Sequence, residues 1–149
     1  MKIKYSLYLC LLVLCLSGCE SKSPADGVDA QGHAIYLQDY KGKWILLNYW
    51  ATWCKACVEE IPELNRLYQQ HQDQLVIFAV NFDASEEDNK FLQKHPILYP
   101  QLIKDPKKLF SFTSVNVLPA TIIISPQGEV VASLTGPQTA AGLAKELKL

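Results

Sequence analysis

The chain has 149 residues, 14 of them basic and 15 acidic, for a net charge of −1. That length suits one domain, and so even a charge balance gives no basic footprint for nucleic acid. No internal repeat or low-complexity tract is visible, which excludes solenoid and fibrous architectures.

The N-terminus comes first. Met1-Lys2-Ile3-Lys4 is a short basic head, and Tyr5 to Leu16 is apolar apart from Ser6. This is too short to span a bilayer as a stable helix and reads as an export signal. It ends in Leu16-Ser17-Gly18-Cys19, which resembles the lipobox of bacterial lipoproteins. Cleavage before Cys19 would remove residues 1–18, with Cys10 and Cys15, and leave Cys19 as the acylated first residue. The remaining chain would carry 12 basic and 15 acidic residues. Several acyl chains hold a protein firmly where one gives only marginal binding. Residues 19–26 then form a polar, lipid-anchored linker containing Pro24. Its seven residues from Glu20 to Asp26 reach at most roughly 25 Å, so the domain, residues 27–149, stays close to the bilayer.

Within the domain, Val28 to Leu37 predicts a small hairpin turning near Gln31-Gly32-His33. Trp44 to Trp50 is almost wholly apolar, as a strand covered on both faces is. Lys55 to about Gln70 predicts a helix with Ile61, Leu64, Leu67 and Tyr68 as its apolar stripe. Leu75 to Phe82 is a second buried strand. Ser85 to Lys94 is a polar helix, with Ser85 as cap and Asp88 three residues on. Pro106 to Phe112 suggests a short helix. Thr121 to Ile124 and Glu129 to Thr135 are strands joined by Ser125-Pro126-Gln127-Gly128, which fits a type I turn. Gly136-Pro137 breaks the last strand, and a final helix runs to about Leu147. This order predicts an α/β fold: a mixed sheet with a parallel βαβ part, an antiparallel hairpin and helices on both faces.

The chemistry lies in Trp53-Cys54-Lys55-Ala56-Cys57, at the junction of the first long strand and its helix. A helix N-terminus favours a thiolate on Cys54. Cys57, one turn on, is placed to attack a mixed disulfide formed by Cys54. A permanent staple is the weaker reading, because so short a loop removes little chain entropy. Three further residues stand out. Pro62 lies inside the helix and cannot donate to Val58, and its ring crowds that carbonyl, so a kink is expected there. Asn48 is the one strongly polar side chain in Ile45 to Trp50; buried there it needs partners, while at a sheet edge it would face solvent. Leu118-Pro119 precedes the Thr121 strand and is a candidate cis bond.

Trp53-Cys54-x-x-Cys57, Pro62 and Val117-Leu118-Pro119-Ala120-Thr121 together resemble the thioredoxin superfamily. The block Gly42 to Cys54, Glu60-x-Pro62, the extra segment between Phe82 and Lys104, and the late Ser-Pro-Gln-Gly-Glu hairpin are similar to its TlpA/ResA/DsbE group. The likeness covers roughly residues 27–147. It implies a thioredoxin-like fold, no cofactor, and thiol–disulfide oxidoreductase activity outside the cytoplasm on exported proteins such as apocytochrome c. It makes Cys54 the exposed nucleophile, Cys57 the resolving thiol and Trp53 the cover of the pair. Pro119 becomes a cis-proline facing the pair, with Leu118 and the adjacent backbone binding substrate as an added strand. Asn48 stands where thioredoxin proper keeps a buried aspartate. Glu60 matches an acidic residue that ResA-like proteins place near the cysteines, whereas Glu59 and Glu63 read as solvated helix charges. Lys55-Ala56 departs from the proline that many members carry before the second cysteine. Lys55 favours the thiolate and so makes the disulfide more oxidising.

The partners implied are a protein disulfide substrate and a membrane thiol–disulfide electron donor, acting on a monomer in the bacterial cell envelope. Two other uses of the same cysteines are a dithiol oxidant and a copper-binding lipoprotein. The second would recruit His33, His71 or His95, each of which reads more simply as a surface or capping residue. A peroxiredoxin would carry its reactive cysteine after Thr-x-x and lack the Trp-Cys-x-x-Cys element.

Overall fold

The computed structural model describes residues 24–82 and 88–149. The expected signal segment, Cys19, most of the linker and the Ser85 cap lie outside the described residues. The elements run β1 (Gly27–Val28), β2 (Ala34–Ile35), a 3₁₀ turn (Leu37–Tyr40), β3 (Trp44–Trp50) and α1 (Lys55–Gln70). Then follow β4 (Leu75–Asn81), α2 (Asp88–Lys94), β5 (Gln101–Leu102) and α3 (Lys107–Phe110). The chain closes with β6 (Ala120–Ile124), β7 (Val130–Thr135) and α4 (Ala140–Leu147).

Five strands form one sheet in the order β5-β4-β3-β6-β7. β3 is parallel to β4, which is parallel to β5, while β6 is antiparallel to both β3 and β7. This is the mixed sheet that the apolar runs and the Ser125–Gly128 turn predict. In that turn the Gly128 N–H donates to the Ser125 carbonyl at 2.8 Å. β5 is the strand that patterning did not find. Two residues are too few to show a period, and their pairing depends on the edge that β4 offers. The β1–β2 hairpin attaches there. Ala30 N–H donates to the Gln101 carbonyl at 2.8 Å and Ile103 N–H to the Val28 carbonyl at 3.2 Å.

Successive residues of β3 point to opposite faces, which builds two cores. Leu46 and Trp50 pack with Leu64 and Leu67 of α1 and with Leu143 and Leu147 of α4. Ile45, Leu47 and Tyr49 pack with Phe78, Ile122 and, more loosely, Leu37, Tyr40 and Phe110. Cys54 and Cys57 belong to the first of these layers. The helix continues through Pro62, and its stripe buries Ile61, Leu64 and Leu67 as the spacing predicts.

Gly136 ends β7 at φ +90°, a conformation that side chains disfavour. Its N–H donates to the Pro119 carbonyl at 2.9 Å, which fixes the end of β7 beside the start of β6.

Leu64 is fully buried where α1 meets the sheet. Leu64→Ala is expected to destabilise the oxidised domain by about 3 kcal/mol in urea denaturation. A loss below about 1 kcal/mol would mean that this face collapses onto the vacancy and is not tightly packed.

Candidate active site

β3 ends at Trp50, and the turn through Ala51 and Thr52 delivers Trp53 and Cys54 to the start of α1. Cys54 is the N-cap, in extended conformation, and its sulfur accepts the Cys57 N–H at 3.2 Å. The two cysteines form a disulfide with Cα atoms 5.3 Å apart. Both sulfurs sit at the positive end of a 16-residue helix, where a released thiolate is stabilised by the helix dipole and by that N–H. Cys54 is 7% exposed and Cys57 1%. The outer cysteine therefore reaches the surface only through a narrow opening, less freely than the word nucleophile suggests.

Trp53 is 64% exposed beside this opening. Phe82, just past β4, and Val117, just before Leu118, are also exposed. All three lie at the same end of the sheet, because the start of antiparallel β6 faces the end of β3. The Leu118–Pro119 bond is cis, as the resemblance implies. Pro119 is buried, and Leu118 packs against both cores.

Behind the disulfide lies a buried polar chain. Asn48 is enclosed in the sheet, not turned to solvent, and its partners are now visible. Its Nδ2 donates to Glu60 Oε2 at 3.1 Å, and its Oδ1 accepts the Tyr99 hydroxyl at 3.2 Å. The Gln138 N–H donates to Glu60 Oε1 at 2.9 Å. Glu60 is only 2% exposed, one helical turn beyond Cys57. Burial raises its pKa from 4.5 to about 7; the bonds from Gln138 and Asn48 pull in the other direction and lose. Burial, with Glu60 nearby, also keeps the Tyr99 phenol protonated. Gln138 Nε2 in turn donates to the Gly136 carbonyl at 2.8 Å, so the loop that touches Glu60 is the one that holds Pro119.

Two neighbours of Glu60 differ from one another. Glu59 is exposed and lies 3.8 Å from the Lys55 ammonium, itself 91% exposed. Lys55 therefore sits in solvent next to an opposite charge, and its pull on the cysteines is screened. Glu63, expected as a solvated charge, is not one. Its Oε2 accepts the Ala140 N–H at 3.0 Å at the start of α4, and its Oε1 accepts Arg66 Nη2 at 2.6 Å. The start of a helix offers unpaired N–H groups, and Glu63 answers one of them.

Tyr99 and Gln138 are the participants that sequence reasoning missed. Tyr99 lies between two prolines, in a segment with no period, and Gln138 reaches Glu60 through its backbone, which no side-chain pattern reveals. Among the described residues no three His, Cys, Asp or Glu side chains are grouped to hold a metal ion. His33 bonds to Asp29, His71 caps α1 and His95 stacks on Phe91.

A model of the AhpC/TSA family matches residues 20–133. The thiol–disulfide oxidoreductase ResA of Bacillus cereus is 37% identical over 113 residues, covering 74% of this chain and 65% of that protein. ResA of Bacillus anthracis is 35% identical over 80% of this chain and 70% of its own length. The exposed lipoprotein thioredoxin of Streptococcus pneumoniae is 25% identical with a TM-score of 0.69, covering 82% of this chain and 96% of that one. StoA of Bacillus subtilis shares the fold at a TM-score of 0.67 and 23% identity, over 83% and 94% of the two chains. With a cysteine pair at the head of α1 and relatives of this kind, the chain belongs to the AhpC/TSA family, among its thioredoxin-like thiol–disulfide oxidoreductases.

Proposed function

We propose that this protein is a membrane-anchored thiol–disulfide oxidoreductase of the cell envelope that reduces disulfides in exported proteins, apocytochrome c among them. The Cys54–Cys57 pair backed by buried Glu60 carries this reading. The Leu16-Ser17-Gly18-Cys19 element supports the anchor, as does the likeness to the exposed lipoprotein thioredoxin of Streptococcus pneumoniae.

The reaction is an exchange of sulfur–sulfur bonds. The Cys54 thiolate attacks one sulfur of the substrate disulfide; a Cys54–substrate bond forms, and the other substrate sulfur leaves as a thiolate. Cys57 gives its proton to the Glu60 carboxylate, directly or through water, and attacks the Cys54 sulfur. The Cys54–Cys57 bond forms and the substrate departs reduced by two electrons. A thiol–disulfide donor in the membrane then returns two electrons to the pair. Trp53, Leu118 and the backbone at Pro119 would hold the substrate chain as an added strand. The reverse flow is favoured by one observation. The helix N-terminus and the Cys57 N–H both stabilise a Cys54 thiolate, which makes the disulfide more oxidising.

The reduction potential of the pair decides the direction. A value near about −270 mV, as in thioredoxin, is expected; one near about −120 mV would make the protein an oxidant.

Trapping separates the roles of the cysteines. Cys57→Ala is expected to accumulate a mixed disulfide with substrate, visible on non-reducing gels, and Cys54→Ala to accumulate none. Equal trapping by both would contradict the assignment.

The proton reading concerns Glu60. The folded protein holds a proton on this carboxyl that the unfolded chain releases between pH 4.5 and about 7. Stability therefore falls as pH rises through that window and levels above it. Glu60→Gln is expected to remove this slope in denaturation measured across pH. It is also expected to slow exchange by about a hundredfold at neutral pH, the low end for loss of an acid–base group. Glu59→Gln is the control and should change neither. A Glu60→Gln protein with the parent's pH profile would remove Glu60 from the mechanism.

A further inference from the structure

The sheet face opposite the cysteines carries a second feature that the redox chemistry does not use. A mostly apolar cleft of about 470 Å³ opens between the β1–β2 hairpin, β5 and α3. Val28, Ile103 and Leu109 line it and are 42%, 60% and 46% exposed, large apolar side chains gathered at one place. Lys104, which lines it, and Lys108, next to the lining Leu109 in the chain, are exposed cations. The rim also holds Asp26 and Asp105, but each is engaged in the fold. Asp26 accepts the Leu37 N–H at 2.8 Å, and Asp105 accepts the Tyr49 hydroxyl at 2.6 Å and the Lys107 N–H at 2.9 Å.

The described chain begins on this rim. Ala25, Asp26 and Gly27 are part of the cleft wall. Five residues, Glu20 to Pro24, lie between Cys19 and Ala25, so the six steps reach at most roughly 20 Å. An acyl group on Cys19 would therefore keep this rim within roughly 20 Å of the bilayer. Apolar side chains flanked by lysines are what an anionic lipid surface attracts.

We propose that this cleft is a membrane-docking surface. Val28, Ile103 and Leu109 enter the headgroup layer of an anionic phospholipid bilayer, and Lys104 and Lys108 contact its phosphates. The inference rests on the lipid-anchor reading of Cys19. Cys54 and Cys57 lie in the packing layer of the opposite sheet face, so docking through the cleft leaves their opening accessible to other proteins.

The mature protein, extracted from membranes, is reconstituted into vesicles of phosphatidylcholine alone or mixed with phosphatidylglycerol. Amide hydrogen exchange is then read at residues 25–28 and 102–109. Exchange there is expected to slow in the anionic vesicles, and less so in the neutral ones. Lys104→Gln with Lys108→Gln is expected to lower occupancy of the contact by roughly fivefold for each lysine, while exchange with a small disulfide stays unchanged. Unaltered exchange in an acylated, vesicle-bound protein overturns the docking surface and leaves the anchor standing. Slowing without vesicles that grows with protein concentration would mean that a second copy covers the cleft, and also overturns it. The mass of the N-terminal peptide, read on the same sample, reports on the anchor itself. An unmodified Cys19 removes both the anchor and the reason for the contact.

Discussion

A carboxyl group in the middle of a protein organises this one. Glu60 reaches from α1 to Asn48 on the central strand and to the backbone of Gln138 before α4. The helix that carries the cysteines is thereby fixed to the sheet by polar bonds as well as by its apolar stripe. Apolar contacts tolerate sliding, whereas a hydrogen bond to a specific oxygen does not. Burial of so polar a group is costly unless each oxygen has a partner, and here each does. The residual cost appears as the raised pKa, so the group that positions the helix is also one that can exchange a proton near neutral pH.

The same economy governs the neighbouring helix ends. Glu60 and Glu63 occupy successive positions on one side of α1, and both receive N–H groups from the segment at residues 138–140. Gln138 ties that segment to Gly136, and Gly136 to Pro119. A continuous run of bonds thus joins the Glu60 carboxyl to the backbone of the cis-proline at the start of β6. A change of charge at Glu60 alters the strength of the first bond in that run, since an ionised carboxylate accepts more strongly than a neutral acid.

Much of the architecture was legible because it depends on local signals. The unbroken apolar run of β3, the stripe of α1 and the Pro-Gly turn between β6 and β7 each state their element within a few residues. So did the cysteine pair, whose spacing and strand-to-helix setting carry the chemistry. β5 was illegible because a two-residue strand exists only by virtue of its partner. Asn48 could be flagged as needing partners, but Tyr99 could not be named as one of them, since the two lie 51 positions apart. Glu60 and Glu63 showed the same limit from the other side. A helical wheel places both near the buried stripe, yet only the arrival of the 138–140 segment decides that neither is free in solvent.

The unequal exposure of the two cysteines has a kinetic consequence. With 7% of Cys54 at the surface and 1% of Cys57, a visiting protein meets a single sulfur, whether it brings electrons or takes them. Donor and acceptor must then use the same doorway at different times, and no ternary complex of the two with this domain can form there. Turnover of this kind is ping-pong. Each partner inhibits the other when present in excess, and flux through the protein is set by the balance of the two concentrations as much as by either affinity.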